Sequence, residues 1–554
     1  ALGAALLLVG PQALWAQDDT ADAPVSTSAA GGSQMLRSTR SGQRVTVDSL
    51  ARDSVQASTF AFDQDTFRSM LGLVRRLHEP QAMHVDQQAL LNLVQAGNGM
   101  EAFLEAFEGG DGLFGTTFNA LDGVGANVGN GMRFTRVPRA DLNGPNQWAQ
   151  LTPTRVTGPN GSSCAECHLQ PVEDGSGPAA VNVIRDPLRQ GNVGKMVNRN
   201  TPHIFGLAGP QRLAEEMTDT LQGIRAQAIR DARRGGQAVT RRLEAKGVRY
   251  GFITARPNGT ADTSRVQGVS TDLVVRPFQW KGNFAFTREF NRDASNQELG
   301  MGPVETTGFG VDGDHDGVVD EMSIGDQTAL AVYTAAQPRP TSRVELAALG
   351  LIPPLTAQET ASIGNGTQVF SDVGCASCHK PALLVDNVTY SEPSQNPNFR
   401  DSVFPAGFTP VSVGVTPQFP VTFDITQDQP NNQIVDAAGN VVFRLGSFEK
   451  NAQGQAIIRL YGDLKRHDMG NNLAEDVDEI GNGPSVFLTR SLWGVGSTPP
   501  YLHDGRATTL SEAILFHGGE AADARNRFRQ LQTQDQADLI TFLNNLVLFV
   551  LPEE

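Results

Sequence analysis

The four cysteines of this 554-residue chain constrain its structure more than any other feature, because all four fall in two copies of one pattern. The copies are CAECH at residues 164–168 and CASCH at residues 375–379. C-x-x-C-H is the attachment signature of c-type haem. Its two thiols add to the vinyl groups of one porphyrin, and its histidine supplies an axial nitrogen to the iron. The pattern therefore predicts two covalently bound haem c groups, held by Cys164, Cys167, His168, Cys375, Cys378 and His379.

Zinc and disulfides are the alternative uses of these cysteines. A zinc ribbon usually places its second cysteine pair about 15 to 20 residues after the first, whereas these pairs lie about 200 residues apart. Both copies also carry the histidine that haem attachment requires. Haem c is therefore the favoured interpretation.

Export is predicted by the first residues of the sequence. Residues 1–16 are apolar and end in Ala16, a small residue of the kind that precedes a signal-peptide cleavage site. The apolar run is too short to span a bilayer, and no other stretch qualifies as transmembrane. We expect a partial signal peptide over 1–16 and a periplasmic or secreted protein without a membrane span.

The net charge of −16 argues against a nucleic-acid partner. It favours a basic electron-donor protein or a neutral substrate. The 58 glycines and 31 prolines indicate a chain rich in loops.

Hydrophobic periodicity predicts a mainly α fold with two cytochrome c-like haem domains and irregular or β-rich insertions. Helices are expected from Phe67 to Leu77 and over 87–107, 211–234, 520–531 and 534–549. Thr509 and Glu512 form a capping-box pattern that opens a helix ending near His517. The predicted domains are a disordered tail at 17–58, an N-terminal haem domain at 59–310, and a C-terminal haem domain at 311–554 with an insertion at about 384–460.

A calcium loop is one interpretation of the acidic stretch at residues 312–321. Alternating carboxylates can surround one cation while glycine permits the sharp turn. The twelfth position is Ser323 instead of the bidentate glutamate of an EF-hand, although Glu321 could substitute in a shorter loop. A plain acidic turn is the alternative. The calcium ligands would be Asp312, Asp314, Asp316 and Asp320.

Several segments after residue 460 resemble the bacterial di-haem cytochrome c peroxidase superfamily. Residues 492–506 and 509–514 resemble the superfamily as a whole, and residues 463–470 and 516–521 are similar to its di-haem oxidoreductase branch. The resemblance covers most of residues 100–554 and is absent before about residue 60. It implies a di-haem oxidoreductase that uses peroxide or dioxygen.

The resemblance implies that His517 is the sixth ligand of the C-terminal haem. That position is Met in the peroxidases and Tyr in the enzyme that matures a tryptophan-derived quinone cofactor, but His in the related rubber oxygenase. A bis-His iron is closed to small ligands and has a lower potential than a His/Met iron. The second haem is therefore expected to be an electron relay.

At the first haem, the resemblance places Ile184 where the peroxidases have a histidine that caps the resting iron. Isoleucine cannot bind iron, and the next histidine, His203, is suited equally to packing or ligation. An open iron at this haem would bind peroxide or dioxygen. The resemblance also gives Trp280 as an electron relay between the haems, with a buried core tryptophan as the alternative. Glu298 is the candidate distal acid/base, and Glu289 is a second candidate.

Three functions follow from these expectations. The first is a di-haem peroxidase-like enzyme that takes electrons from a small protein such as a cytochrome c or a cupredoxin. The second is an oxygenase that cleaves a bulky apolar organic substrate, as the related rubber oxygenase does. The third is a pure electron-transfer cytochrome with His203 as the additional iron ligand.

Overall fold

The computed structural model describes most of the chain after residue 78. The described residues are 79–124, 160–177, 182–185, 195–313, 316–401, 404–427, 430, 433–435 and 441–549, together with strands at 35–37 and 44–46. The chain forms two compact units, Ala1–Phe60 and Ala61–Glu554.

The first unit contains two short strands, β1 (Met35–Arg37) and β2 (Arg44–Thr46), which pair antiparallel with Met35 opposite Thr46. Both strands lie inside the segment predicted to be a disordered tail. The signal peptide predicted at 1–16 and the helix predicted from Phe67 to Leu77 lie outside the described residues.

Helices form the framework of the second unit, as the sequence predicts. None of the described helices is long and apolar enough to cross a membrane. The helices are α1 (Gln87–Gln95), α2 (Gly99–Gly115), α3 (Ala208–Gly235), α4 (Thr287–Ala294), α5 (Val304–Thr307), α6 (Ile324–Ala336), α7 (Arg343–Ala348), α8 (Ala357–Asp372), α9 (Leu510–Phe516), α10 (Ala522–Gln530) and α11 (Thr533–Asn545).

The strands of the second unit are short and pair antiparallel in twos and threes, which agrees with the predicted β-rich insertions. The ladders are β3 (Asn182–Arg185) with β4 (Met196–Arg199), β5 (Val239–Ala245) with β6 (Val248–Ala255) and β7 (Ala261–Asp262), β8 (Thr341–Ser342) with β18 (Leu546–Val547), β9 (Leu383–Val385) with β15 (Ala456–Ile458) and β14 (Glu449–Lys450), β10 (Thr389–Glu392) with β11 (Val421–Asp424), β12 (Gln433–Val435) with β13 (Val441–Arg444), and β16 (Arg466–Asp468) with β17 (Val486–Leu488).

The single helix predicted over 87–107 is in fact two helices. Gly97 has a φ of +84°, a left-handed conformation that ends α1, and Asn98 then precedes α2. The hydrophobic pattern continues across this break, so periodicity alone hides it. The helix predicted at 211–234 is confirmed as α3, which ends before Gly236 with a φ of +65°.

Two hydrophobic cores hold the second unit together. The larger one joins residues from both sides of the predicted domain boundary, such as Leu213, Leu330 and Leu460. The smaller core lies within α8 to α11 and includes Phe370 and Phe542. The division into two haem domains at residue 310 stays a prediction.

Candidate haem sites

The second C-x-x-C-H motif follows directly from the end of α8. Gly374 has a φ of +92°, which turns the chain from the helix into a 3-10 turn at Cys375–Ser377. The motif opens into a cavity of about 450 Å³. Its walls also include side chains from α9, α11 and the segment 467–503, among them His467, Trp493, His503 and His517.

His379 and His517 face each other across this cavity. Their ring centres are 6.5 Å apart and their planes are inclined by 54°. Two imidazole nitrogens, each about 2 Å from one metal ion on opposite sides, put the ring centres roughly 6 Å apart. The spacing therefore fits one haem iron between the two rings.

Backbone carbonyl groups fix the orientation of both rings. Nδ1 of His379 donates to the carbonyl oxygen of Tyr461 at 3.0 Å, and Nδ1 of His517 donates to that of Ala513 at 2.7 Å. Each imidazole therefore keeps the lone pair of Nε2 for a metal, because the other nitrogen carries the proton. Burial lowers the pKa of His379 to about 4 and also lowers the pKa of His517. Both rings are neutral near pH 7, as ligation requires.

The state of the cysteines also fits haem better than zinc. All four are free of disulfides. Burial raises the pKa of Cys375 to about 11 and that of Cys164 to about 12. In the described part of the chain, the two cysteines and the histidine of neither motif form a cluster of ligand atoms within 4.8 Å of one another, as a zinc site would require. The donor set therefore fits covalent haem attachment.

His467 lies at the edge of the cavity between two carboxylates. Its Nε2 is 3.0 Å from Asp463 Oδ2, and its Nδ1 is 2.8 Å from Glu520 Oε2. Burial by itself would lower the pKa of His467, but the hydrogen bonds and charges of Asp463 and Cys378 together outweigh burial and raise it to about 10. A ligand atom of Cys378 lies within 4.8 Å of those of Asp463 and His467. Since both ring nitrogens contact carboxylates, His467 is an imidazolium beside the cavity and not an iron ligand.

The first motif has the same proximal arrangement as the second. Nδ1 of His168 donates to the carbonyl oxygen of Gly175 at 3.0 Å, and the His168 ring lies 5.6 Å from that of Phe114. Burial lowers the pKa of His168 to about 4. A neutral imidazole beside the two cysteines is again available to iron.

The two positions considered for a second ligand of the first haem do not offer one. Ile184 is buried in β3 against Val197 and Val477. His203 uses both ring nitrogens on the backbone: Nε2 donates to the carbonyl oxygen of Trp493 at 3.1 Å, and Nδ1 accepts from the N–H of Phe205 at 3.2 Å. His203 therefore has a structural role, and its ligation of iron is not supported.

Glu298 lies beside the first motif. It belongs to a π-helical turn at Ser295–Leu299, a type of irregularity often found at functional sites. Asn160 Nδ2 donates to Glu298 Oε2 at 2.7 Å, and the Asn160 N–H donates to the Glu298 carbonyl oxygen at 2.6 Å. The Glu298 carboxylate is close enough to affect the pKa of Cys164. In contrast, Glu289 Oε2 accepts from the N–H of Ala285, just before α4, so this side chain caps the N-terminus of the helix.

Trp280 is half-buried in the wall of the cavity. Its indole N–H donates to the carbonyl oxygen of Asn200 at 2.8 Å. The guanidinium of Arg490 lies 5.2 Å from the Trp280 ring centre, and the His503 ring contacts the indole edge-on at 6.4 Å. Trp280 thus has a fixed orientation at a cavity, which differs from a tryptophan buried in the core.

Comparison with known proteins identifies a family that is similar to part of this chain. Residues 439–546 match the family model described as "Di-haem oxidoreductase, putative peroxidase". This segment of the chain is similar to the di-haem oxidoreductases. The match contains the cavity residues from His467 to His517 and confirms the resemblance found in the sequence. No curated protein matches the chain.

Two solved structures are similar to this chain over much of their length. A MauG-like protein associated with microbial copper homeostasis is 13% identical, with 62% of this chain and 89% of that chain covered and a TM-score of 0.23. The hydrazine synthase of Kuenenia stuttgartiensis, pressurized with xenon, is 15% identical, with 61% and 87% covered and a TM-score of 0.22.

The described part of the acidic stretch forms a turn in which its carboxylates bind backbone N–H groups. The Asp312 carboxylate accepts from the N–H groups of Asp316 and Gly317, each at 3.0 Å. Asp320 Oδ1 accepts from the Gly310 N–H at 2.7 Å. Asp314 lies outside the described residues, and the three described aspartates do not form a cluster of ligand atoms. Calcium binding stays a prediction.

Three residues of the cavity could not be assigned a role from the sequence. His467 and His503 could not be distinguished from other single histidines, and Arg490 belongs to no motif. Their positions depend on β16, β17 and the loop after them, which bring distant parts of the chain to one cavity. The family segment at 463–470 was the one sequence signal that pointed to His467.

Proposed function

We propose that this protein is an exported di-haem c oxidoreductase with peroxidase-like activity. Its N-terminal haem activates peroxide or dioxygen, and its C-terminal bis-His haem relays electrons through Trp280. The observation that carries the proposal is the difference between two histidines. His517 faces His379 at 6.5 Å between ring centres, whereas His203 has both nitrogens bound to backbone groups beside the first site.

Haem iron, once bound, supplies the redox chemistry and the coordination site for the oxidant. The chain determines which iron is accessible. With haem bound, His379 and His517 would both hold the C-terminal iron through Nε2, while His168 would hold the N-terminal iron. Export is proposed because haem is attached to such motifs outside the cytoplasm.

Glu298 is the proposed acid/base at the N-terminal site. Cleavage of a peroxide requires a group that accepts a proton from one oxygen and returns it to the other. Asn160 holds Oε2 of Glu298 by a hydrogen bond of 2.7 Å and thereby orients the carboxylate beside the first motif. Asn160 is a positioning residue in this proposal.

Trp280 is the proposed route for electrons between the sites. Its hydrogen bond to the Asn200 carbonyl fixes the indole plane, and the indole lines the cavity that holds the second motif. Asn200 is itself bonded to the segment that carries His503, since its N–H donates to the His503 carbonyl oxygen at 2.7 Å. An indole in a fixed orientation supports electron transfer better than a mobile indole.

An oxygenase that cleaves a bulky apolar substrate is the second candidate function. The observation that favours it is the histidine at position 517, because the peroxidases have methionine there. A pure electron-transfer cytochrome is less well supported, because His203 has no nitrogen left for iron.

One set of measurements separates these functions. The purified holoprotein is characterised by absorption and EPR spectroscopy, then mixed with hydrogen peroxide and reduced cytochrome c, and separately with polyisoprene and air. Peroxide-dependent oxidation of cytochrome c selects the peroxidase, and oxygen uptake with chain cleavage selects the oxygenase. Two unreactive low-spin bis-His haems would rule out both enzymes.

Glu298→Gln and Glu289→Gln form a matched pair for the acid/base assignment. Both remove one carboxylate and keep its shape. Loss of a general acid/base costs about 10²- to 10⁴-fold in rate, so we expect that loss for Glu298→Gln and near-normal turnover for Glu289→Gln. Equal activity of the two variants would exclude Glu298 from catalysis.

A further inference from the structure

The charge of this chain is distributed very unevenly. The whole sequence has 44 Lys and Arg and 60 Asp and Glu side chains, for a net charge of −16. Residues 225–265 alone contain ten of the basic and three of the acidic side chains, for a net charge of +7. The remaining 34 basic and 57 acidic side chains give a net charge of −23. One short segment is therefore strongly basic within an acidic protein.

The fold gathers this segment into one compact substructure, which we call the arginine module (residues 225–265). It consists of the second half of α3 and the sheet of β5, β6 and β7, and the buried Leu243 and Ala245 of β5 belong to the same core as Leu221 of α3. Nine of its ten basic side chains are arginines. The exposed ones are Arg230, Arg233, Arg234, Arg241, Arg242, Arg249, Arg256 and Arg265.

The carboxylates of the module neutralise only part of this charge. Asp231 pairs with Arg241 at 3.0 Å, Glu244 with Arg249 at 3.3 Å, and Asp262 with Arg256 at 3.3 Å. Other arginines, Arg230, Arg233, Arg234 and Arg265, form no ion pair with any carboxylate in the described part of the chain. The surface of the module therefore carries an excess of positive charge.

The arginine module contacts the segment that leads into the wall of the C-terminal haem cavity. The buried Tyr250 of β6 donates its hydroxyl to the Asp463 carbonyl oxygen at 3.4 Å. Just after the module, the Gly268 carbonyl oxygen accepts from the Arg466 N–H at 2.9 Å. The Asp463 side chain in turn contacts His467, which lines the cavity. A molecule bound to the module would thus lie on a substructure that is connected to this wall through Asp463.

We infer that the arginine module is the docking surface for an acidic electron-transfer protein that exchanges electrons with the C-terminal haem. The inference rests on the relay role proposed above for that haem. Complementary charge steers a partner to its site and raises association rates by about 10- to 10³-fold. Guanidinium groups match carboxylates in a bidentate geometry. The connection to the cavity wall through Asp463 favours a redox protein over an anionic lipid surface. The overall acidity of the chain would suggest a basic partner, so this inference reverses the partner charge expected from composition.

The test measures electron delivery without peroxide. Reduced flavodoxin, an acidic protein, is mixed anaerobically with the ferric holoprotein in a stopped-flow instrument. One electron leaves the flavin hydroquinone and reduces the C-terminal haem iron from ferric to ferrous, which changes its absorbance. The cationic methyl viologen radical serves as a small reductant of opposite charge.

The module variant is Arg234→Gln/Arg242→Gln/Arg249→Gln, and the control variant removes three arginines elsewhere, Arg343→Gln/Arg459→Gln/Arg529→Gln. We expect the flavodoxin rate constant at low ionic strength to fall about tenfold in the module variant, with a weaker salt dependence. The control variant is expected to change less than twofold. Reduction by methyl viologen should be equally fast in all three proteins. Unchanged haem spectra and unfolding temperatures verify that the variants fold.

Equal flavodoxin rates in the module variant and the original protein would overturn the inference, as would an equal loss in the control variant. Loss of binding to anionic phospholipid vesicles without any change in flavodoxin rate would assign the module to a membrane surface and also overturn it. Since no peroxide is added, an inactive peroxidase would leave this measurement unaffected. Failure of the docking inference and failure of the proposed activity are therefore distinguishable.

Discussion

Two buried histidines near the haem motifs differ in their capacity to bind iron, because their ring nitrogens have different hydrogen-bond partners. His517 uses Nδ1 for a backbone carbonyl, and its ring centre lies 6.5 Å from that of His379. His203 uses both nitrogens for backbone groups. Sequence position distinguishes them only partly, since each lies in a segment that resembles the superfamily. The hydrogen bonds are the physical basis for assigning one to iron and the other to structure.

His517→Ala is expected to change the spectrum of one haem only. Removal of the ring leaves the C-terminal iron with His379 alone, so its low-spin EPR signal is replaced by a high-spin signal while the N-terminal signal stays. The matched variant is His203→Gln, which keeps hydrogen-bonding capacity at a histidine that we assign to structure. Its haem spectra should equal those of the original protein. A spectrum changed by His203→Gln and not by His517→Ala would reverse the assignment.

Asn160→Ala is expected to reduce peroxide turnover about tenfold without changing the KM for peroxide. The variant loses the hydrogen bond that orients Glu298, and a misplaced acid/base slows proton transfer. Asn182→Ala is the control, because Asn182 contacts the Asn160 amide at a longer distance of 3.4 Å and does not contact Glu298 in the described structure. An unchanged turnover number in Asn160→Ala would exclude the positioning role.

Local sequence signals predict some elements of this fold well and others poorly. The capping box of Thr509 and Glu512 and the glycine after α3 define helix ends through local hydrogen bonds and backbone angles, so the sequence predicts α9 and α3 closely. Gly97 interrupts a continuous hydrophobic pattern, so the pattern predicts one helix where the structure has α1 and α2. The strands at 384–460 are two to four residues long and depend on partners distant in sequence, so only their general region was predictable.

Gly366→Ala is expected to destabilise the packing of α8 against α11. A Cβ at Gly366 would lie 2.0 Å from the Asp538 carbonyl oxygen, so the helices would have to separate. Overpacking of this kind costs about 1 to 3 kcal/mol. Gly364→Ala in the same helix meets no atom within 4 Å and should stabilise the protein by roughly 0.5 to 1 kcal/mol. Thermal unfolding of the two variants tests this close packing of α8 against α11. An unfolding temperature of Gly366→Ala above that of the original protein would contradict it.

The candidate-site residues also fall into two groups, those that a local sequence pattern predicts and those that it does not. The motif ligands and His517 could be proposed from sequence because they lie in short local patterns. His467, Arg490 and His503 reach the cavity through chain reversals that no local pattern encodes. The basic composition of residues 225–265 is evident in the sequence, but the net charge of all 554 residues does not reveal it.

Stability of the whole molecule is expected to decrease between pH 6.5 and pH 10 because of His467. Its pKa is raised from 6.5 to about 10 in the folded protein, against the effect of burial, by Asp463 and Cys378. The folded state therefore binds a proton more tightly than the unfolded state, and this stabilisation is complete below pH 6.5. It is lost as the pH rises through 10. Asp463 and Glu520 remain beside the ring when Cys378 carries haem.

Denaturant unfolding of the holoprotein at several pH values measures this effect. His467→Gln should give a flatter dependence of the unfolding free energy on pH over this range. His84→Gln is a useful comparison, because His84 also pairs with a carboxylate, Asp326, and its pKa is also raised, but its side chain is 45% exposed. Solvent screens this pair more than the buried His467 pair, so its removal should flatten the pH dependence less than His467→Gln does. An equal slope in His467→Gln and the original protein would contradict the prediction.

The arginine module is continuous in sequence, whereas the residues around the haem cavity come from many distant segments. Partner preference and redox chemistry can therefore vary separately during evolution. Substitutions on the exposed strands β5 and β6 could retune recognition while Tyr250 keeps its bond to Asp463. The same separation makes this hairpin a practical place to engineer attachment to an electrode or a foreign donor without altering the catalytic centre.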